Sequence, residues 1–242
     1  MGIFDFLGGG SGPEKALKLK SKVTQKYGDP TTRQKALQQL GEMKFPEAVS
    51  VLLQRYNITV EPLTTDTDEK EHVFELVQSF GKDAIGPVTD FLRKNEAATS
   101  WALRLLEVLL PEAEVTTLVV ETLTSLSGKY LRNHEKLVVL LHYVTGKQDP
   151  RIAPAVLPHL EDMADDVKLA TLKALGPLKY EPAREPILKL LSNKEIARRV
   201  QTAALGALQE SGFSVQGYRE QVEASMTEPY YLDGNGLVQR RA

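Results

Sequence analysis

Cysteine is absent from the 242 residues, which excludes disulfides, thiolate metal sites and a thiol nucleophile, and suits a reducing compartment. Long apolar runs are missing as well. No stretch approaches the roughly 20 apolar residues that a membrane span needs, and the start, MGIFDFL, has neither the basic residues nor the apolar length of a secretory leader. The expected location is therefore cytoplasmic. Charge of one sign is not in excess. With a formal net charge of −2, the chain has no general basic surface for neutralising phosphates, so nucleic acid is not an expected partner. Tryptophan occurs once, as Trp101, and its expected role is core packing.

Catalytic patterns are sparse too. His72, His134, His142 and His159 include no HExxH and no pair at four-residue spacing, so no helix-borne zinc site is expected. The one His-Glu pair, His134-Glu135, reads as a solvent-facing helix start. Gly81-Lys82, Gly128-Lys129 and Gly146-Lys147 are not followed by Ser or Thr, so they read as helix C-caps rather than phosphate loops. Asp66 and Asp68 alternate like the start of a calcium loop, but Lys70 stands at the third ligand position. No catalytic residue, metal or cofactor is expected, and the chain is expected not to be an enzyme.

What is present is a repeat. Residues 165–193 place Val167, Ala170, Thr171, Ala174 and Leu175 at spacings of three and four, then break at Gly176-Pro177. From Pro182 to Ser192 a second amphipathic run places Ile187, Leu188, Leu190 and Leu191 inward and Arg184, Glu185 and Lys189 outward. Two such helices cannot close a core alone, so they must stack on copies of themselves. The same helix-to-breaker junction recurs at Leu40-Gly41, Phe80-Gly81, Leu110-Pro111, Val144-Thr145 and Leu208-Gln209, at intervals of 30 to 40 residues. Pro154, Pro158 and Pro186 fall within second helices and predict bends there.

In the first helices, Val167-Lys168 leads to Ala170, Ala174 and Leu175-Gly176, and Val200-Gln201 leads to Ala204 and Ala207-Leu208. This pattern resembles the HEAT-repeat family, in its short bacterial form, over roughly Lys15 to Met226. The resemblance implies an all-α fold: a right-handed α-α superhelix, armadillo-like, of about six helical hairpins. It also implies a non-enzymatic scaffold or adaptor that binds a protein partner on its concave face, the chain itself being a monomer. Helical phase puts Gln54, Arg55, Asp90, Arg93, Lys94, Arg184, Glu185 and Lys189 on that face. A lyase or glycosylase is conceivable from fold resemblance alone.

Around the solenoid, expected over residues 13–226, three segments stand out. Residues 1–12 join an apolar peptide, Ile3, Phe4, Phe6 and Leu7, to a glycine-rich tether. The next helix carries Ala16, Leu19, Val23 and Tyr27 in one stripe and Lys15, Lys18, Lys22 and Lys26 in another, which offers peripheral attachment to an anionic membrane surface as a secondary reading. Ser11 and Glu14 have capping-box spacing before it. Residues 57–72 form an acidic insertion, expected to be briefly extended and then loop-like, with the next repeat beginning near Asp68. Residues 227–242 contain Asp233-Gly234-Asn235-Gly236 between β-favouring runs, a hairpin signal. The hairpin is expected to cover the end of the array, with Tyr230, Tyr231, Arg240 and Arg241 available for docking.

Overall fold

The computed structural model of the chain describes residues 12–193 and 195–241. The apolar peptide Ile3, Phe4, Phe6 and Leu7, and the cap at Ser11, lie outside them. The chain divides into two compact units, Met1–Val115 and Thr116–Ala242, where the sequence suggested one uninterrupted array. About 70% of it is helical.

In the first unit, α1 (Gly12–Val23), α2 (Pro30–Glu42), α3 (Pro46–Leu52), α4 (Leu63–Ser79), α5 (Lys82–Lys94) and α6 (Thr99–Leu109) form two rows. One row stacks α1 on α3 and α3 on α5; the other stacks α2 on α4 and α4 on α6. Ala16, Leu19 and Val23 are buried on α1 as their spacing predicts, whereas Tyr27 lies beyond the helix end and is 79% exposed. Asp29 caps α2 through Thr31, and Pro30 follows in the first turn, where its missing N–H costs nothing.

Gly41 does not stop α2, which runs to Glu42. A Cβ there would come within 2.5 Å of Leu76 on α4. The glycine permits a close helix approach instead of ending a helix. The insertion is likewise not a long loop. Only Ile58–Pro62 is irregular, and residues 63–72 already belong to α4.

Trp101 is half-buried rather than central, its ring stacked on Tyr56 with centroids 4.8 Å apart. The Arg104 guanidinium lies over Trp101 at 4.5 Å and Phe74 at 4.8 Å, while making two bonds to Glu71. Val108, on α6, is 50% exposed.

The boundary between the units falls within α7 (Glu112–Leu126). The second unit adds α8 (Glu135–Val144), α9 (Ile152–Val156), α10 (Asp165–Leu175), α11 (Arg184–Ser192), α12 (Arg198–Ser211) and α13 (Arg219–Ala224). Helix α10 packs on both α8 and α12, and α11 on both α12 and α13. Pro158 converts the end of α9 into a 3-10 turn, Leu157–Glu161, because it offers no N–H for an α-type bond. Pro186 is the third residue of α11, in the first turn, so it does not bend that helix.

The C-terminal hairpin pairs β1 (Tyr230–Leu232) with β2 (Val238–Arg240), antiparallel, with Tyr231 opposite Gln239. Asp233 holds the turn by accepting from the backbone of Asn235 and Leu237. The hairpin rests on α12, where Gly206 leaves room for the Tyr230 hydroxyl. The expected end cover is present.

Candidate functional site

The first unit buries a cluster of charges that includes Arg55, which helical phase alone places on the outward face. Arg55 is fully buried. It donates to Glu69 at 2.9 Å, to Asp66 at 2.7 Å and to the Ile58 carbonyl at 3.1 Å. Arg33 donates to both oxygens of Glu69 and to the Gln25 carbonyl. Asp66 also accepts from Lys70 and from the backbone of Val60.

Burial on its own would raise the Glu69 and Asp66 carboxyls. The hydrogen bonds from Arg33 and Arg55 to Glu69, and from Lys70 and Arg55 to Asp66, outweigh it and hold both below the ordinary range. Every member of the network has a protein partner. Its role is to tie the Ile58–Pro62 crossing to α2 and α4, which removes Arg55 from any partner-binding face.

The remaining predicted surface residues fall into separate places. Gln54, Asp90 and Lys94 line one shallow cleft of the first unit, and Asp90 pairs with Lys94 one turn away. Arg93 is exposed beside them. In the second unit Glu185 pairs with Lys189, and Arg184 is an internal clamp whose guanidinium donates to the carbonyls of Ser214 and Gln216, both at 2.7 Å. Lys15, Lys18, Lys22 and Lys26 are exposed, as are Tyr231, Arg240 and Arg241. Tyr230 is half-buried against α12.

A different set of residues lines a cavity of about 460 Å³ in the second unit. Its first wall follows α7. Gly128, at φ +70°, turns the chain after Leu126. Leu131 anchors the loop in the core, and Asn133 caps α8 by accepting from the Glu135 backbone at 2.9 Å. This leaves Tyr130 held out into water at 88% exposure and His134 at the helix entrance.

The second wall is the 3-10 turn after α9. Its tight winding turns His159 inward, where Nε2 meets the Leu123 carbonyl at 3.1 Å. A carbonyl only accepts, so Nε2 carries the proton. Asp162 then accepts from the Ala164 backbone at 2.8 Å and stands 3.5 Å from His134 Nε2. Met163, 94% exposed, projects from the same turn.

Burial lowers the basicity of His159 below that of an ordinary imidazole, outweighing the Leu123 hydrogen bond and the nearby Asp162 charge. The ring is therefore neutral at neutral pH. Nδ1, the remaining nitrogen, is an acceptor with no protein partner among the described residues. Among those residues, no group of three or more His, Asp or Glu is gathered closely enough to hold a metal ion. No described helix is long and apolar enough to cross a membrane.

No sequence motif marks this cavity. His134 was paired with Glu135, its neighbour in the chain, rather than with Asp162, and His159 had no motif around it. The available signals were Pro158, which forces the 3-10 turn, and two large apolar residues, Tyr130 and Met163, placed beyond helix ends.

No family model and no curated protein matches the chain. Among solved structures it is similar to human deoxyhypusine hydroxylase in complex with glycerol, at 13% identity and TM-score 0.33, over 88% of this chain and 94% of that one. It is also similar to an engineered protein, at 18% identity and TM-score 0.42, over 81% of this chain and 96% of that one. The expectation of a non-enzymatic scaffold is overturned, since one of the solved structures similar to the chain is an enzyme. At these TM-scores neither likeness assigns an activity to this chain.

Proposed function

We propose that this chain is a HEAT-type repeat protein whose second unit recognises a protein partner by taking one of its side chains into the cavity between the loop after α7 and the turn after α9. The cysteine-free composition suits work in a reducing, cytoplasmic setting.

One observation carries the reading. Two large apolar side chains, Tyr130 and Met163, are held almost wholly in water at the mouth of a cavity whose wall includes the buried, neutral His159. Most large apolar residues of this chain are buried, and these two are the most exposed of them among the described residues. Water gains nothing from such side chains, whereas a partner covering them gains about 25 cal/mol for each Å² of apolar surface removed from solvent. Tyrosine and methionine are also the residue types enriched where proteins recognise one another.

Peptide-display selection on the full chain tests the proposal, with counter-selection on a Tyr130→Ser/Met163→Ser double variant. Both substitutions are on exposed side chains and should leave the helical circular dichroism unchanged. Peptides that bind the native chain and lose at least tenfold in affinity for the variant are the expected result. Peptides that bind both forms equally, or no enrichment at all, would overturn the reading.

A further inference from the structure

Resting on that reading, we infer that His159 sets the selectivity of the cavity by accepting a hydrogen bond from an uncharged aromatic side chain that carries a single O–H or N–H donor.

With Nε2 committed as a donor to the Leu123 carbonyl, the lone pair on Nδ1 is the unused polar capacity of a residue only 3% exposed. A ligand seated over Nδ1 shuts it off from water, and an acceptor left there without a donor is penalised. A ligand that supplies a donor avoids that cost, while one that is wholly apolar incurs it. The donor itself must therefore belong to the ligand.

The charges around the cavity narrow the choice further. Glu161 and Asp162 line it and oppose a carboxylate or phosphate, and Lys129 lines it and opposes an ammonium group. A neutral donor meets neither objection. The body of the ligand follows from the two side chains at the mouth. The Tyr130 ring offers a face and an edge to another ring, and the Met163 thioether makes favourable contacts with aromatic edges. A phenol or an indole meets all three conditions at once: a flat apolar body, no charge, and one donor at its rim.

The test uses small probes on the full chain: p-cresol, which carries the donor, and toluene, its counterpart without it. Isotope-labelled histidine and methionine report the two ends of the cavity by NMR. The expected result is that both probes shift the Met163 methyl signal, only p-cresol shifts the His159 Nδ1 resonance, and p-cresol binds about 2- to 10-fold more tightly, the worth of one neutral hydrogen bond.

In a His159→Leu variant the preference should fall to about onefold. Should that variant fail to fold, the Nδ1 shift in the native chain decides alone. Equal affinities with Nδ1 unmoved would overturn the role of His159 and leave the cavity reading standing. If neither probe moves Met163, the cavity reading falls as well.

Discussion

Replacing Glu69 with leucine tests whether the buried charges hold the first unit together. The carboxylate accepts from the Nε and Nη2 groups of Arg33 and from Arg55 Nε, and all three residues are at most 4% exposed. After the substitution, Arg55 keeps Asp66 and the Ile58 carbonyl, but Arg33 keeps only the Gln25 carbonyl. One cation is thus left buried without a counter-charge. Breaking such a pair from one side costs about 3–5 kcal/mol.

Urea unfolding followed by tryptophan fluorescence reads the first unit selectively, because Trp101 is the only tryptophan and stacks on Tyr56, next to Arg55 in the chain. The double variant Arg33→Met/Glu69→Leu should recover part of the loss, since it removes the orphaned cation together with its partner. A loss below about 1 kcal/mol for Glu69→Leu, well short of the one-sided cost, or a double variant worse than the single, would refute the account.

Other outcomes follow from the same geometry. Because the folded-state carboxyls of Glu69 and Asp66 lie below their ordinary values of 4.5 and 3.8, their contribution is present above those values and is lost as pH falls through and below them. Trp101-monitored stability should therefore fall steeply below about pH 4.5, and Glu69→Leu should flatten that slope. Gly206→Ala brings a Cβ within 2.9 Å of the Tyr230 hydroxyl. Once Tyr230→Phe has removed the hydroxyl, the same alanine should stabilise by about 0.5–1 kcal/mol through helix propensity, measured by thermal unfolding. Arg184→Ala strips a charged donor from two carbonyls and should cost about 1–2 kcal/mol in urea titrations read by circular dichroism, while leaving affinity for cavity ligands unchanged.

The repeating helices were legible in residue spacing alone. Val167, Ala170, Ala174 and Leu175 recur at helical spacing and are buried on α10, and the turn residues Asp233 to Gly236 do produce the hairpin. These signals are local: a helix face is written within a dozen residues, and a turn within four. The partners of polar groups, by contrast, emerge only when distant segments pack together. Helical phase placed Arg55 outside, yet its partners Asp66 and Glu69, 11 and 14 residues on, draw it inside.

Gly41 looked like a stop because glycine ends helices in isolation, but Leu76 of a neighbouring helix needs the space. His159 lacked any motif because its proton is fixed by the Leu123 carbonyl, 36 residues earlier. Apolar burial is cheap to satisfy in many ways and so follows pattern. A buried charge or ring nitrogen needs one particular partner, and which partner arrives depends on how distant segments stack.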